Sequence, residues 1–383
     1  LFVRCLEREG IRFVFGVPGE ENADFMMSLE GTSIDFVLCR HEQGAAFMAE
    51  VYGRLTGNPA VALGTLGPGA ANLVTGVADA NMDRAPLIAI TGQGGTDRLH
   101  KESHQIMDVV GMFRPVTKWA SSVHTPRAIP ELVRKAVRTA RAEKPGAVLL
   151  ELPEDIAARE TEGEPLEPRR FRRPGIDDKI ADRAFEALTE ATQPLIIAGN
   201  GAIRKRASKQ LRRFCELTGV GVMSTMMGKG AVDMDAPYSL FTVGLQQRDL
   251  VLEAVERSDL VLCVGYDMVE YPPRLFNPER DKRIVHVDFT PAEIDAHYRP
   301  EVELVGDVAH SLWALNERVE AKRAAGTMPS YDLAVQHRVR ELMLEELAAH
   351  ADDETEGRLR PQKVLWDVRR ALGPRDVLLS GVG

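Results

Sequence analysis

The sequence predicts an α/β protein built from successive doubly wound, parallel-sheet domains. Short runs such as Ala60–Leu63, Leu87–Thr91, Pro194–Ala198 and Leu260–Val264 are almost wholly apolar rather than alternating, which marks strands buried on both faces. These runs alternate with helix-length segments. Several end in Gly- and Pro-rich turns, as in Gly16-Val17-Pro18-Gly19 and Gly64-Thr65-Leu66-Gly67-Pro68-Gly69.

Taken in order, Leu1–Glu9 has the apolar face of a helix and stops at Gly10, and Phe13–Phe15 is a short strand. Ile34–Cys39 is a further strand, and Gln43–Leu55 is a helix of small residues ended near Gly57. The strand Ala60–Leu63 leads through its glycine turn into a helix over Ala70–Ala80, then into the strand Leu87–Thr91. Between Glu160 and Pro174 the composition shifts to Glu, Pro and Arg, which reads as a linker, with Arg169–Arg173 a solvated charge run. A second α/β unit follows, with strands Pro194–Ala198, Leu260–Val264 and Ile284–Val287 and helices Lys205–Thr218 and Ala309–Arg323. Ala325–Ser330 is a break, Leu333–His350 an amphipathic helix, Asp352–Glu356 a solvated turn, Gln362–Leu372 a helix and Val377–Leu379 a strand. The expected domains are therefore 1–160, a linker 161–178, a central domain 179–326, a connecting helix and turn 327–356, and the start of a third unit over 357–383. The sequence opens on Leu1 inside a helix, and the expectation is a chain whose start and C-terminal domain lie outside these residues.

Composition removes several function classes. The formal charge is −9, from 48 Lys and Arg against 57 Asp and Glu, which argues against general nucleic-acid binding. No apolar run approaches the ~20 residues that span a bilayer, so no membrane association is expected. Cys5, Cys39, Cys215 and Cys263 are scattered, with no CxxC pair; they read as core residues in a reducing, cytoplasmic compartment.

Three stretches carry candidate chemistry. Arg40-His41-Glu42 places a carboxylate between a buried strand and a helix, where ligands of open α/β sheets bind; read alone, Glu42 is equally a helix-start charge. It is not part of an HExxH motif, because position 45 is Ala45. In Gly67-Pro68-Gly69-Ala70-Ala71-Asn72, glycines after a strand let the backbone approach a ligand at a helix N-terminus. Around His104-Gln105, His100 and His104 would share a helix face if that segment were helical, but a metal site is not expected. Gln105 is a neutral donor for a carboxylate or oxyanion. Gly199-Asn200-Gly201 suggests a dinucleotide turn, yet position 204 is Arg204 where the third glycine belongs, and the acidic residue ending a strand, Asp288, comes too late.

In order along the chain, Phe15–Gly19, Arg40-His41-Glu42, Thr65–Asn72, Val116-Thr117-Lys118 and Val148–Pro153 resemble thiamine-diphosphate-dependent decarboxylases and carboligases. Within that family the similarity is to the large catalytic chain of acetolactate synthases. Gly265–Tyr271 and Glu303–Asp307 look like the catabolic, FAD-independent type. The resemblance implies Glu42 as the partner of the cofactor's aminopyrimidine N1′ and Gln105 as a second catalytic residue that steadies substrate. It also implies Pro18, Gly19, Thr65, Gly67, Pro68 and Asn72 as cofactor-binding residues. It further implies pyruvate as substrate, a homodimer or homotetramer, and Mg²⁺ held with the diphosphate by a Gly-Asp-Gly motif. No Gly-Asp-Gly occurs here; Gly306-Asp307-Val308 falls in the central domain, so no metal ligand is assigned and the chain is expected to be an inactive fragment. Alternatives are another 2-oxo acid decarboxylase or oxidase, and a non-catalytic α/β binding protein.

Overall fold

The structure, a computed structural model, describes residues 1–169, 173–244, 249–349, 351–353, 359–373 and 375–379. The chain divides into two compact units, Leu1–Arg172 and Arg173 onward.

In the first unit the strands are β1 (Phe13–Gly16), β2 (Asp35–Leu38), β3 (Ala60–Gly64), β4 (Leu87–Gln93), β5 (Trp119–Ser122) and β6 (Ala147–Pro153). The helices are α1 (Phe2–Arg8), α2 (Ala23–Met27), α3 (Glu42–Thr56), α4 (Pro68–Met82), α5 (Val109–Phe113), α6 (Ile129–Arg141) and α7 (Glu154–Ala157). The six strands form a sheet in the order β2-β1-β3-β4-β6-β5, parallel at every pairing. Gly16 of β1 pairs with Leu38 of β2 on one side and Leu63 of β3 on the other, so the loops after these strands leave one edge together. The chain crosses back over β1 to reach β3, which makes the β1/β3 edge a topological switch point, where ligands of open sheets bind.

Alternate strand residues go to two different cores. Val61, Leu63, Ile88, Ile90, Val148 and Leu150 pack with residues of α1 and α6. Ala60, Ala62, Ala89, Ala147, Leu87 and Leu149 pack with residues of α3, α4 and α5. The alanine-rich face lets two helices approach closely. A Cβ on Gly76 of α4 would lie 2.6 Å from the Ala46 Cβ of α3, and one on Gly53 of α3 would lie 2.2 Å from the Pro86 carbonyl.

The second unit contains β7 (Pro194–Ala198), β8 (Val222–Ser224), β9 (Ser239–Thr242), β10 (Leu260–Val264), β11 (Arg283–Asp288) and β12 (Val302–Val305). Its helices are α8 (Asp178–Glu190), α9 (Lys205–Thr218), α10 (Val251–Arg257), α11 (Pro273–Phe276), α12 (Val308–Ala324), α13 (Ala334–Ala348) and α14 (Pro361–Ala371). Its sheet, again parallel, runs β12-β11-β10-β7-β8-β9, the doubly wound order of dinucleotide-binding sheets. The Gly199–Gly201 turn after β7 serves the fold itself: a Cβ on Gly201 would lie 2.6 Å from the Gly265 Cα, so the glycines let two backbone turns touch.

Some expectations need correction. Residues 377–379 are not a strand: they have no pairing neighbour among the described residues and their side chains are exposed. Residues 96–105 form turns and irregular chain rather than a helix, so His100 and His104, both exposed, share no helix face. In α13, Val339 is buried but Leu347 is exposed, so the apolar face is narrower than its pattern suggests. The basic run 169–173 lies partly outside the described residues. Arg173 itself is not a free solvated charge: it pairs with Asp307 at 2.9 Å and lies over the Phe289 ring. All four cysteines are free and buried, and burial pushes the thiols of Cys5 and Cys263 up, to about 11 and about 12. Among the described residues no helix is long and apolar enough to cross a membrane.

Candidate active site

The site is assembled at the carboxyl ends of β1, β2 and β3. His41 caps α3: its backbone is extended and its Nδ1 accepts a hydrogen bond from the Gln43 N–H at 3.1 Å. The cap fixes the helix start and makes Glu42 the first helical residue, where its side chain is buried. The Asn72 amide, one turn into α4, donates to Glu42 Oε2 at 3.0 Å. The other oxygen, Oε1, lies beside Gly69, where a Cβ would sit 3.3 Å from it and 2.7 Å from the Thr65 methyl.

Thr65, directly after β3, donates its hydroxyl proton to Glu21 Oε2 at 2.6 Å. It also packs on the β1 turn, since a Cβ on Gly19 would lie 2.8 Å from the Thr65 Cβ. Gly19 is held by its own N–H donating to Asn22 Oδ1 at 2.9 Å. Pro18 and Pro68 are exposed, and Pro68 starts α4 at a position where its missing N–H costs nothing.

Gln105 is far away in sequence but reaches the same turn. Gly67 has φ 53°, and a Cβ on it would lie 2.7 Å from the Gln105 carbonyl oxygen and 2.8 Å from the Gln105 Cβ. The structure thus gathers Gly19, Glu42, Thr65, Gly67, Gly69, Asn72 and Gln105 around the β3–α4 turn. Sequence reasoning missed Glu21, which anchors Thr65, and the buried pair Gln93 and Glu151. For Gln93 the available signal was a polar residue ending an otherwise apolar strand; Glu151 lies inside β6, and Glu21 in the turn after β1.

A carboxylate held in this way can accept a hydrogen bond from a protonated ring nitrogen. One carboxylate oxygen is fixed by Asn72 and the second faces a cradle that a single methyl at position 69 would fill. A metal fits the described carboxylates less well. Glu50, Asp79 and Asp83 lie within 4.8 Å of one another, but Arg54 is their cation, with Nη2 3.1 Å from Glu50 and also paired to Asp83. Asp307 caps α12, accepting from the His310 N–H at 2.9 Å, besides its pairing with Arg173.

A parallel sheet with its polar cluster at the switch point defines a cofactor-binding α/β protein, and two family descriptions match it. "Thiamine pyrophosphate enzyme, N-terminal TPP binding domain" covers residues 1–112, and "Thiamine pyrophosphate enzyme, central domain" covers residues 181–315. The chain belongs to the thiamine pyrophosphate enzymes. It is similar to the catabolic acetolactate synthase of Raoultella terrigena, 36% identical over 346 residues, covering 90% of this chain and 62% of that protein. It is also similar to the acetolactate synthase of Bacillus subtilis strain 168, 35% identical over 319 residues, covering 82% of this chain and 55% of that protein. Glyoxylate carboligase of Escherichia coli O157:H7 is 34% identical over 381 residues, covering 97% of this chain and 63% of that protein. The chain therefore spans 55–63% of the length of these relatives.

Proposed function

We propose that the protein carrying this chain is a thiamine-diphosphate-dependent acetolactate synthase, which decarboxylates pyruvate and joins the two-carbon unit to a second pyruvate. The observation that carries this reading is the buried Glu42 carboxylate, fixed by Asn72 and facing the Gly69 cradle. Thiamine diphosphate, when bound, supplies the carbon nucleophile and the electron sink for loss of CO₂. Glu42 Oε1 is assigned to the proton on the pyrimidine nitrogen, with Asn72 fixing the plane of the carboxylate. Pro18, Gly19, Thr65, Gly67 and Pro68 line the ring's site, and Gln105 donates to a substrate carboxylate or developing oxyanion. Mg²⁺ and the diphosphate are assigned to a Gly-Asp-Gly segment, which these 383 residues do not contain.

The central unit is read as working without FAD, supported by Arg204 in place of a glycine and by the Gly201–Gly265 backbone contact. A homodimer or homotetramer is supported by exposed apolar residues on α3, and a reducing cytoplasm by four unpaired cysteines.

The test is acetolactate formation from pyruvate by the purified full-length protein and its Glu42→Gln variant, without added flavin and with glyoxylate as a competing substrate. Glu42→Gln is expected to lower kcat by about 10²–10⁴-fold with an unchanged circular dichroism spectrum. Unchanged turnover would remove the role of Glu42. Preferred use of glyoxylate would replace the substrate, and a requirement for FAD would overturn the flavin-free reading.

A further inference from the structure

The segment that brings Gln105 to Gly67 is exposed and irregular. Lys101, Glu102, His104 and Gln105 all face solvent, and residues 96–100 and 104–105 are turns joined by irregular chain. Gln105 has φ 56°, a conformation that an L-residue keeps only where its surroundings impose it. Its placement therefore needs anchors on both sides. On the N-terminal side, Gly95 N–H and Arg98 bind Glu154 at 2.9 and 2.6 Å, and Thr96 binds Asp155 through its N–H and its hydroxyl at 2.9 and 2.8 Å.

On the C-terminal side the anchor is buried. Gln93, the last residue of β4, donates from Nε2 to the Met107 carbonyl at 3.0 Å and to Glu151 Oε1 of β6 at 2.9 Å. Its own Oε1 accepts from the Gly94 N–H at 3.0 Å. Every hydrogen-bonding site needed to fix the amide's orientation is thereby used. Both partners of Nε2 are acceptors, so only an NH₂ group fits between them. Gln93 and Glu151 are 2% and 5% exposed, dry enough that losing one partner leaves the other unsatisfied. Neither touches the Glu42 cluster by any contact described above.

We propose that Gln93, oriented by Glu151, is a positioning residue: it fixes the 103–108 segment to the sheet and so sets Gln105 against Gly67. The proposal rests on the role given to Gln105 above for its effect on turnover, but not for its effect on the segment. The site thus has a support that is neither cofactor ligand nor substrate contact. Toward Gln93 the Glu151 carboxyl serves as an acceptor through Oε1, so a glutamine oxygen can replace it there.

The experiment uses the full-length protein with Gln93→Met, Glu151→Gln, Gln105→Ala and the Gln93→Met/Gln105→Ala pair. Hydrogen exchange of residues 100–108 is expected to be at least about tenfold faster in Gln93→Met, with the rest of β4 and β6 unchanged. The same variant is expected to lose about 10- to 100-fold in kcat/KM for pyruvate. The double variant should be no worse than Gln105→Ala alone, because both changes remove the same interaction. Glu151→Gln should stay near the parent in exchange and turnover. Unchanged exchange over 100–108, or losses that multiply in the double variant, would overturn the proposal. Faster exchange together with a harmless Gln105→Ala would leave the tether standing and remove instead the role of Gln105 in turnover. If Gln93→Met loses protection throughout β4, Gln93→Asn is the second variant. Its amide is too short to reach both partners, and unchanged exchange over 100–108 there overturns the proposal equally.

Discussion

Glu50 is buried between α3 and α4, two helical turns along α3 from Glu42, with its carboxyl beside those of Asp79 and Asp83. Burial first, and then a hydrogen bond shared with Asp79, push Glu50 up to about 8 from an ordinary 4.5, while Arg54 pulls the other way. A proton held between Glu50 and Asp79 leaves fewer charges facing the single guanidinium. Between about 4.5 and 8 the folded protein binds this proton and the unfolded chain does not, so stability falls as pH rises through that window. From pH 6 to pH 9 the parent is expected to lose about 2 kcal/mol, or roughly 4–8 °C in Tm. Glu50→Gln, which stays neutral, should lose less than half of that. Thermal unfolding across pH decides it, and equal slopes in the two proteins would refute the shared proton. Nothing local in the sequence marks Glu50, because its acidic neighbours come from another helix. Glu42, by contrast, is legible because it stands at a strand–helix junction, a position with a meaning of its own.

At the scale of elements, the α3–α4 pair is set by small residues rather than large ones. Glycine at position 53 is required by the Pro86 carbonyl, 2.2 Å from where a Cβ would lie, and a backbone oxygen cannot swing aside as a side-chain tip can. Gly→Ala inside a helix ordinarily stabilises by about 1 kcal/mol. Here overpacking, typically about 1–3 kcal/mol, opposes it. At this distance the clash wins, so Gly53→Ala should lower the urea midpoint, and an unchanged or higher midpoint would show that the helices can part freely. Among the interior strands β7 and β10 were legible to the residue, because both of their faces are buried and every position is apolar, whereas the interior strands β6 and β8 were not read as strands. The strands β5 and β9 went unread because they lie at sheet edges and carry serine and threonine. Val377–Leu379 shows the converse: an apolar triplet becomes a strand only when another strand pairs with it. Gln105 could be named from sequence as a candidate donor, but its meeting with Gly67 depends on a loop anchored by Gln93, a long-range contact that no spacing encodes.

At the scale of the whole molecule, the side of α3 opposite its buried alanines is unusually apolar. Met48, Val51 and Leu55 repeat at helical spacing and are all exposed, Leu55 at 80%, and Met82 at the end of α4 is exposed as well. Single exposed apolar residues are ordinary, but a stripe along one helix marks a contact surface. A second copy of the chain is the proposed occupant, because the family resemblance implies a homodimer or homotetramer and Glu42 begins this same helix. Two glutamates in the stripe would bury unpaired charge at such a contact, which costs far more than the lost apolar area. Val51→Glu with Leu55→Glu should therefore shift the full-length protein to monomer in sedimentation velocity, while circular dichroism stays unchanged because both residues face solvent within one chain. Acetolactate formation should fall in step with the fraction dissociated, recovering as protein concentration rises. An unaltered sedimentation coefficient would move the subunit contact off α3, and dissociation with full activity would place the whole pocket within one chain.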